Sequence, residues 1–136
     1  MLRIVADPGV LVSAVLSHLG APSIVVDRWR DGEFDLVVSP HLLEELESVL
    51  RRPKFSAALT ETDVRAYVDG IAADALVFPD DDDPPAFAPD PDDDYLVALA
   101  IAAKADLIVS GDVHLTGLVA PLVPVLTPRA LVDRLA

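Results

Sequence analysis

The chain contains no cysteine, which excludes a disulfide framework and any thiolate-bound metal and fits a reducing compartment. Long apolar runs are missing too. Although 52% of the residues are hydrophobic and mean hydropathy is +0.43, no run reaches the roughly eighteen residues that a bilayer span needs. No basic stretch precedes an apolar segment with a small-residue cleavage site, so the expectation is a soluble, cytoplasmic protein with no membrane partner. Bases are scarce as well: ten Lys and Arg against 23 Asp and Glu leave a net charge of −13, which at first sight argues against a nucleic-acid partner. The imbalance is local, however. Asp80 to Asp83, Asp90 and Asp92 to Asp94 hold eight of the 23 acids, leaving 15 against the ten bases elsewhere. Basic spots remain at Arg28 with Arg30 and at Arg51-Arg52 with Lys54; they could touch a phosphate backbone, although solvated helix ends are the plainer reading of any one of them.

Several catalytic signatures are also absent. No glycine-rich phosphate loop, Gly-x-Ser-x-Gly elbow or dinucleotide glycine pattern occurs. His18, His41 and His114 have no metal-ligand spacing among them and read as surface residues, with His114 close enough to Asp112 to face the same pocket. The stretch from Asp80 to Asp94 lacks the glycine and terminal glutamate of a calcium loop. With five prolines among repeated Asp, Pro79 to Pro91 is expected to be an exposed, mobile loop whose aspartates are dispensable for metal binding.

What is present is a set of short, continuous apolar runs, with little two-residue alternation, as in a parallel sheet covered on both faces. Strands are expected near 2–6, 35–38, 75–78, 106–109 and 123–126. Helices are expected near 10–18, 22–31, 40–51, 61–73, 93–104, 112–118 and 128–135, giving one α/β domain over 1–136. Ser39-Pro40 and Thr127-Pro128 each offer an N-cap followed by proline at the first helical position, and Thr60 has Asp63 three residues on.

Four acids stand beside these elements. Asp7 follows the run Leu2 to Ala6, and Asp112 follows Leu107 to Gly111, so both fall at carboxyl ends of strands, where open α/β sheets form their sites. In helix 40–51 the stripe Leu42, Leu43, Leu46, Val49 and Leu50 leaves Glu44 outward and both Glu45 and Glu47 at its flanks. Asp93 shares a face with Leu96, Val97 and Ala100, and an acid on an apolar face needs a partner. Taken singly, each has a plainer reading: a turn residue at Asp7, a helix cap at Asp92, Asp93 or Asp112. Brought together, such carboxylates repel one another unless a cation joins them, and hard oxygen donors select Mg²⁺ or Mn²⁺ over zinc.

The segments Asp7-Pro8-Gly9-Val10-Leu11-Val12-Ser13-Ala14, Ser39 to Leu46 with Arg52-Pro53-Lys54-Phe55, Asp90 to Leu96 running on to Ala100, and Ala105 to Asp112 together resemble the PIN-domain ribonucleases. The likeness is greatest to the VapC-related toxins of toxin–antitoxin systems and covers nearly the whole chain. The resemblance implies a three-layer α/β/α sandwich with a mainly parallel five-stranded sheet. It also implies a metal site at Asp7, Glu45, Asp93 and Asp112, which chooses Glu45 over Glu47, with Ser110 supporting the last aspartate. The implied activity is Mg²⁺- or Mn²⁺-dependent cleavage of single-stranded RNA, with Arg51, Arg52 and Lys54 as candidate substrate contacts. A small cognate antitoxin is the implied partner, and a homodimer is allowed. Pro8-Gly9 departs from the family's common Thr-Asn, which removes an Asn side chain; the backbone amide of Gly9 is the group able to replace it. Two competitors follow: a PIN-like scaffold that binds RNA or protein with weak or no catalysis, and a phosphoryl-accepting domain with Asp7 as nucleophile.

Overall fold

The structure, a computed structural model, describes residues 1–86, 91–112, 115 and 123–136. Five strands form one sheet: β1 (Arg3–Ala6), β2 (Asp35–Val38), β3 (Leu76–Val77), β4 (Leu107–Val109) and β5 (Val125–Leu126), in the order β3-β2-β1-β4-β5. Every pairing among them is parallel, with Ile4 opposite Leu36 on one side and opposite Leu107 on the other. The central strands are apolar on both faces because both faces are covered, and Ile4, Val5, Val37, Val38 and Leu107 to Val109 have no exposed surface.

Six α-helices surround the sheet among the described residues: α1 (Pro8–Leu16), α2 (Ala21–Arg30), α3 (Pro40–Leu50), α4 (Glu61–Asp74), α5 (Asp94–Ala102) and α6 (Pro128–Leu135). Helix α1 packs on α2 and α3, α3 on α4, and α2 on α6, while α5 lies against β1 and β4. The chain builds β1, β2 and β3 in one direction and then returns to add β4 on the far side of β1. Right-handed crossovers therefore place α5 on the face opposite α1 to α4, which makes the three-layer α/β/α arrangement. That reversal between β1 and β4 is the switch point at which open sheets of this kind leave a crevice beyond the carboxyl ends of their strands.

The expected elements are present with small shifts. Helix α1 begins at Pro8 rather than near residue 10, because the Asp7 side chain accepts from Gly9 N and caps the helix directly at the end of β1. Ser39 and Thr127 cap α3 and α6, and Thr60 with Asp63 forms a reciprocal capping box on α4. Gly70 lies inside α4, and Gly32, at φ +81°, ends the turn after α2 in a conformation that suits glycine. The helix expected near 112–118 falls largely outside the described residues, as does His114.

Candidate functional site

Asp7 and Asp112 meet at the switch point. Asp7 leaves β1 with its amide bonded to Val109 O of β4, and its carboxylate is held from two sides: Gly9 N donates to Oδ1 at 2.9 Å, and the Ser110 hydroxyl donates to Oδ2 at 2.8 Å. Ser110, fully buried, also accepts from Asp112 N at 3.0 Å. One hydroxyl thus joins the Asp7 carboxylate, 103 positions away from it in sequence, to the backbone amide of Asp112. Gly9, where the family commonly has Asn, meets Asp7 through its backbone amide. A Cβ there would stand 3.5 Å from Asp7 Oδ1, an ordinary contact, so glycine is not forced by space. Asp7, Gly9, Ser13, Gly111, Asp112 and Pro128 line a cleft of about 250 Å³.

Glu45 stands in a separate cleft of about 340 Å³, with His41, Asp80 and Tyr95 among its walls. The Tyr95 hydroxyl donates to Glu45 Oε2, and the His41 ring lies 4.1 Å from the Tyr95 ring, centre to centre. Burial pushes the Tyr95 phenol far above its ordinary range, reinforced by the hydrogen bond to Glu45 and by the negative charges of Glu45, Asp7 and Asp93. Its proton therefore stays on as a donor, and three of the four acids lie near enough to act on one phenol. Glu47, the alternative on α3, is committed elsewhere: its Oε1 takes Arg51 at 2.8 Å and Arg65 at 2.6 Å.

Asp93 occupies the N-cap position of α5 but makes no capping hydrogen bond with its side chain. The helical face inferred for it does not distinguish it, because Asp94 through Ala100 are all buried and this segment has no polar side. Asp94 is only 6% exposed, more enclosed than Asp93. Among the described residues, no three His, Asp or Glu side chains form a ready-made cation-binding group. The donors nevertheless suit a hard cation, being carboxylate and hydroxyl oxygens at the mouth of one sheet end.

One expectation needs correction. The acidic loop is not uniformly loose: Asp80 Oδ2 accepts from His41 N at 2.8 Å, satisfying a second free amide at the start of α3 beside the one that Ser39 takes at Leu42. Its Oδ1 is buried without a hydrogen-bond partner among the described residues. Asp81 to Asp83 are exposed. Replacing Asp80 with Ala should cost about 1 kcal/mol, as loss of a helix cap does, whereas Asp82→Ser should stay within about 0.5 kcal/mol. Urea unfolding of both variants checks the contrast, and equal midpoints would remove the tether. Of the candidate substrate contacts, Arg51 pairs with Glu47 and Glu61, and Arg52 and Lys54 are exposed on the next turn.

The sequence signals for Tyr95, His41 and Asp80 were faint. His41 and Glu45 sit four apart on one helix, so their proximity is local, whereas the Tyr95 and Asp80 contacts span 50 and 39 positions.

Residues 3–114 match the family described as PIN domain. No curated protein matches the chain. Among solved structures, a chain in the crystal structure of VapBC2 from Rickettsia felis, bound to a DNA fragment from their promoter, superposes with a TM-score of 0.63 at 12% identity. The match covers 93% of this chain and 98% of that one. PAE2754 from Pyrobaculum aerophilum gives a TM-score of 0.62 at 16% identity, over 98% and 95%. At such identities the likeness is one of fold.

Proposed function

Because the chain belongs to the PIN-domain family of nucleases, we propose that it is a divalent-metal-dependent endoribonuclease for single-stranded RNA, acting in the cytoplasm as the toxin of a toxin–antitoxin pair. Residues 1–136 would work as one such domain. The observation that carries this reading is the Asp7–Ser110–Asp112 chain at the switch point. Asp7, Glu45, Asp93 and Asp112 would hold Mg²⁺ or Mn²⁺, which when bound supplies an activated water and neutralises charge on the scissile phosphate. The protein's own part is orientation. Gly9 N and Ser110 fix the Asp7 carboxylate, Ser110 fixes the backbone that presents Asp112, and Tyr95 fixes Glu45. Arg52 and Lys54 are the phosphate contacts we favour, since Arg51 is already paired.

Added Mn²⁺ should raise the melting temperature of the purified chain by mass action, by about 2.7 kcal/mol of stability at a hundred times the dissociation constant, and single-stranded RNA should be cut only with the ion present. Failure of both would leave the inert-scaffold reading in place, and a covalent phosphate on Asp7 would establish the phosphoryl-accepting one. A small protein encoded next to this one should co-purify with it and suppress cleavage; full activity in a stable complex would argue against an antitoxin.

A further inference from the structure

We infer that Tyr95 is a positioning residue whose hydroxyl fixes the Glu45 carboxylate by one oxygen and leaves the other for a divalent cation, an inference that rests on the reading of Glu45 as a cation ligand. The Glu45 side chain is 44% exposed on the surface of α3, where a long flexible carboxylate has many rotamers open to it and loses entropy when held in one. Tyr95 is the opposite case. It is 8% exposed on the first turn of α5, in a run of buried residues, so its ring direction is set by packing. A rigid donor from one layer of the fold thus meets a flexible acceptor from the other, 50 positions away in sequence.

His41 completes the clamp. One turn before Glu45 on the same helix, it packs its ring at 50° against Tyr95 and brings Nε2 to 4.0 Å from the same carboxylate oxygen. Among the described residues both contacts fall on Oε2, which leaves Oε1 to meet an ion. The core itself needs only the ring, which phenylalanine would supply. The hydroxyl is the part that reaches Glu45. Groups that hold a metal ligand in place are worth 10- to 100-fold in metal affinity, although they never touch the metal.

The test is a double-mutant cycle on the full chain with Mn²⁺ alone as the probe, read by calorimetry beside thermal melts. Tyr95→Phe should weaken Mn²⁺ binding about tenfold. In a Glu45→Gln background the same change should have less than about a twofold effect, because the carboxylate it orients is gone. Glu45→Asp, which keeps the charge but shortens the reach to Tyr95, should reproduce the loss, and adding Tyr95→Phe should not deepen it. Unchanged Mn²⁺ affinity in Tyr95→Phe while Glu45→Gln weakens it would overturn the positioning role alone. So would an equal loss in both backgrounds, since Tyr95 would then act by some route other than Glu45. If Glu45→Gln itself leaves Mn²⁺ binding intact, the reading of Glu45 as a ligand fails and takes the positioning role with it.

Discussion

Asp7→Asn should lower the rate of RNA cleavage roughly a thousandfold and abolish the Mn²⁺-dependent rise in melting temperature. A metal ion contributes several kcal/mol of charge stabilisation in phosphoryl-transfer transition states, and at about 1.4 kcal/mol per tenfold the loss of a central ligand reaches that size. The substitution is informative because it preserves shape. Asn is as good an N-cap as Asp, so the bond from Gly9 N and the start of α1 survive. Relief of repulsion among clustered acids would by itself make the metal-free variant more stable. The two hydrogen bonds already donated to this carboxylate oppose that gain, since bonds to charged groups are worth about 1.5–3 kcal/mol. The metal-free melting temperature should therefore move by only a few degrees, separating a site effect from unfolding. Single-turnover cleavage, calorimetry and melts on one preparation decide it. Persistence of Mn²⁺-dependent cleavage would rule Asp7 out as a ligand. Asp93→Asn should weaken Mn²⁺ binding, while Glu44→Gln on the outer side of α3 should leave it unchanged.

Ser110→Ala should weaken Mn²⁺ binding roughly 10- to 100-fold and also cost roughly 2–4 kcal/mol of stability. The two effects have one origin. Ser110 has no exposed surface, and its hydroxyl both donates to Asp7 Oδ2 and accepts from Asp112 N. Alanine leaves a carboxylate oxygen short of its donor and a backbone amide without its acceptor, and each partly enclosed orphan costs about 1–3 kcal/mol. The same loss unlinks the Asp7 carboxylate, which keeps its bond from Gly9 N, from the Asp112 backbone, so the ion would meet a less firmly fixed pair. Ser110→Thr keeps the hydroxyl and should retain most of the affinity. Mn²⁺ titration and urea unfolding report the two quantities separately. A stability loss with unchanged Mn²⁺ affinity would make Ser110 a purely structural bridge.

Much of the architecture is legible along the chain because its causes are local. Apolar runs at Arg3–Ala6, Asp35–Val38 and Leu107–Val109 are too short and continuous for amphipathic helices, and the caps at Ser39, Thr60 and Thr127 act within three residues. The placement of Asp7 at the end of β1 needs only its own neighbours, and Gly9 N lies two residues from the oxygen it serves. Even so, the α1 start was displaced, because a proline that reads as a turn also suits the first position of a helix. In α5 the helical wheel fails for a physical reason: a segment buried on every side has no polar face to orient it, so the enclosure of Asp94 is invisible there.

The sequence by itself determined the element order, the parallel character of the sheet and the strand-end positions of Asp7, Ser110 and Asp112, since each follows from residue types within a few positions. The tertiary structure decided the rest: the strand order β3-β2-β1-β4-β5 and the Ser110 bridge between two strand ends. It also decided the grip of Tyr95 on Glu45, the anchoring of Asp80 at α3, and the pairing of Glu47 and Arg51 in an ion-pair network. Most of these join groups 39 to 103 positions apart, and their geometry depends on how layers of the sandwich pack. Side-chain periodicity carries information over a turn or a pleat, whereas a bond between layers exists only once burial has brought the layers together.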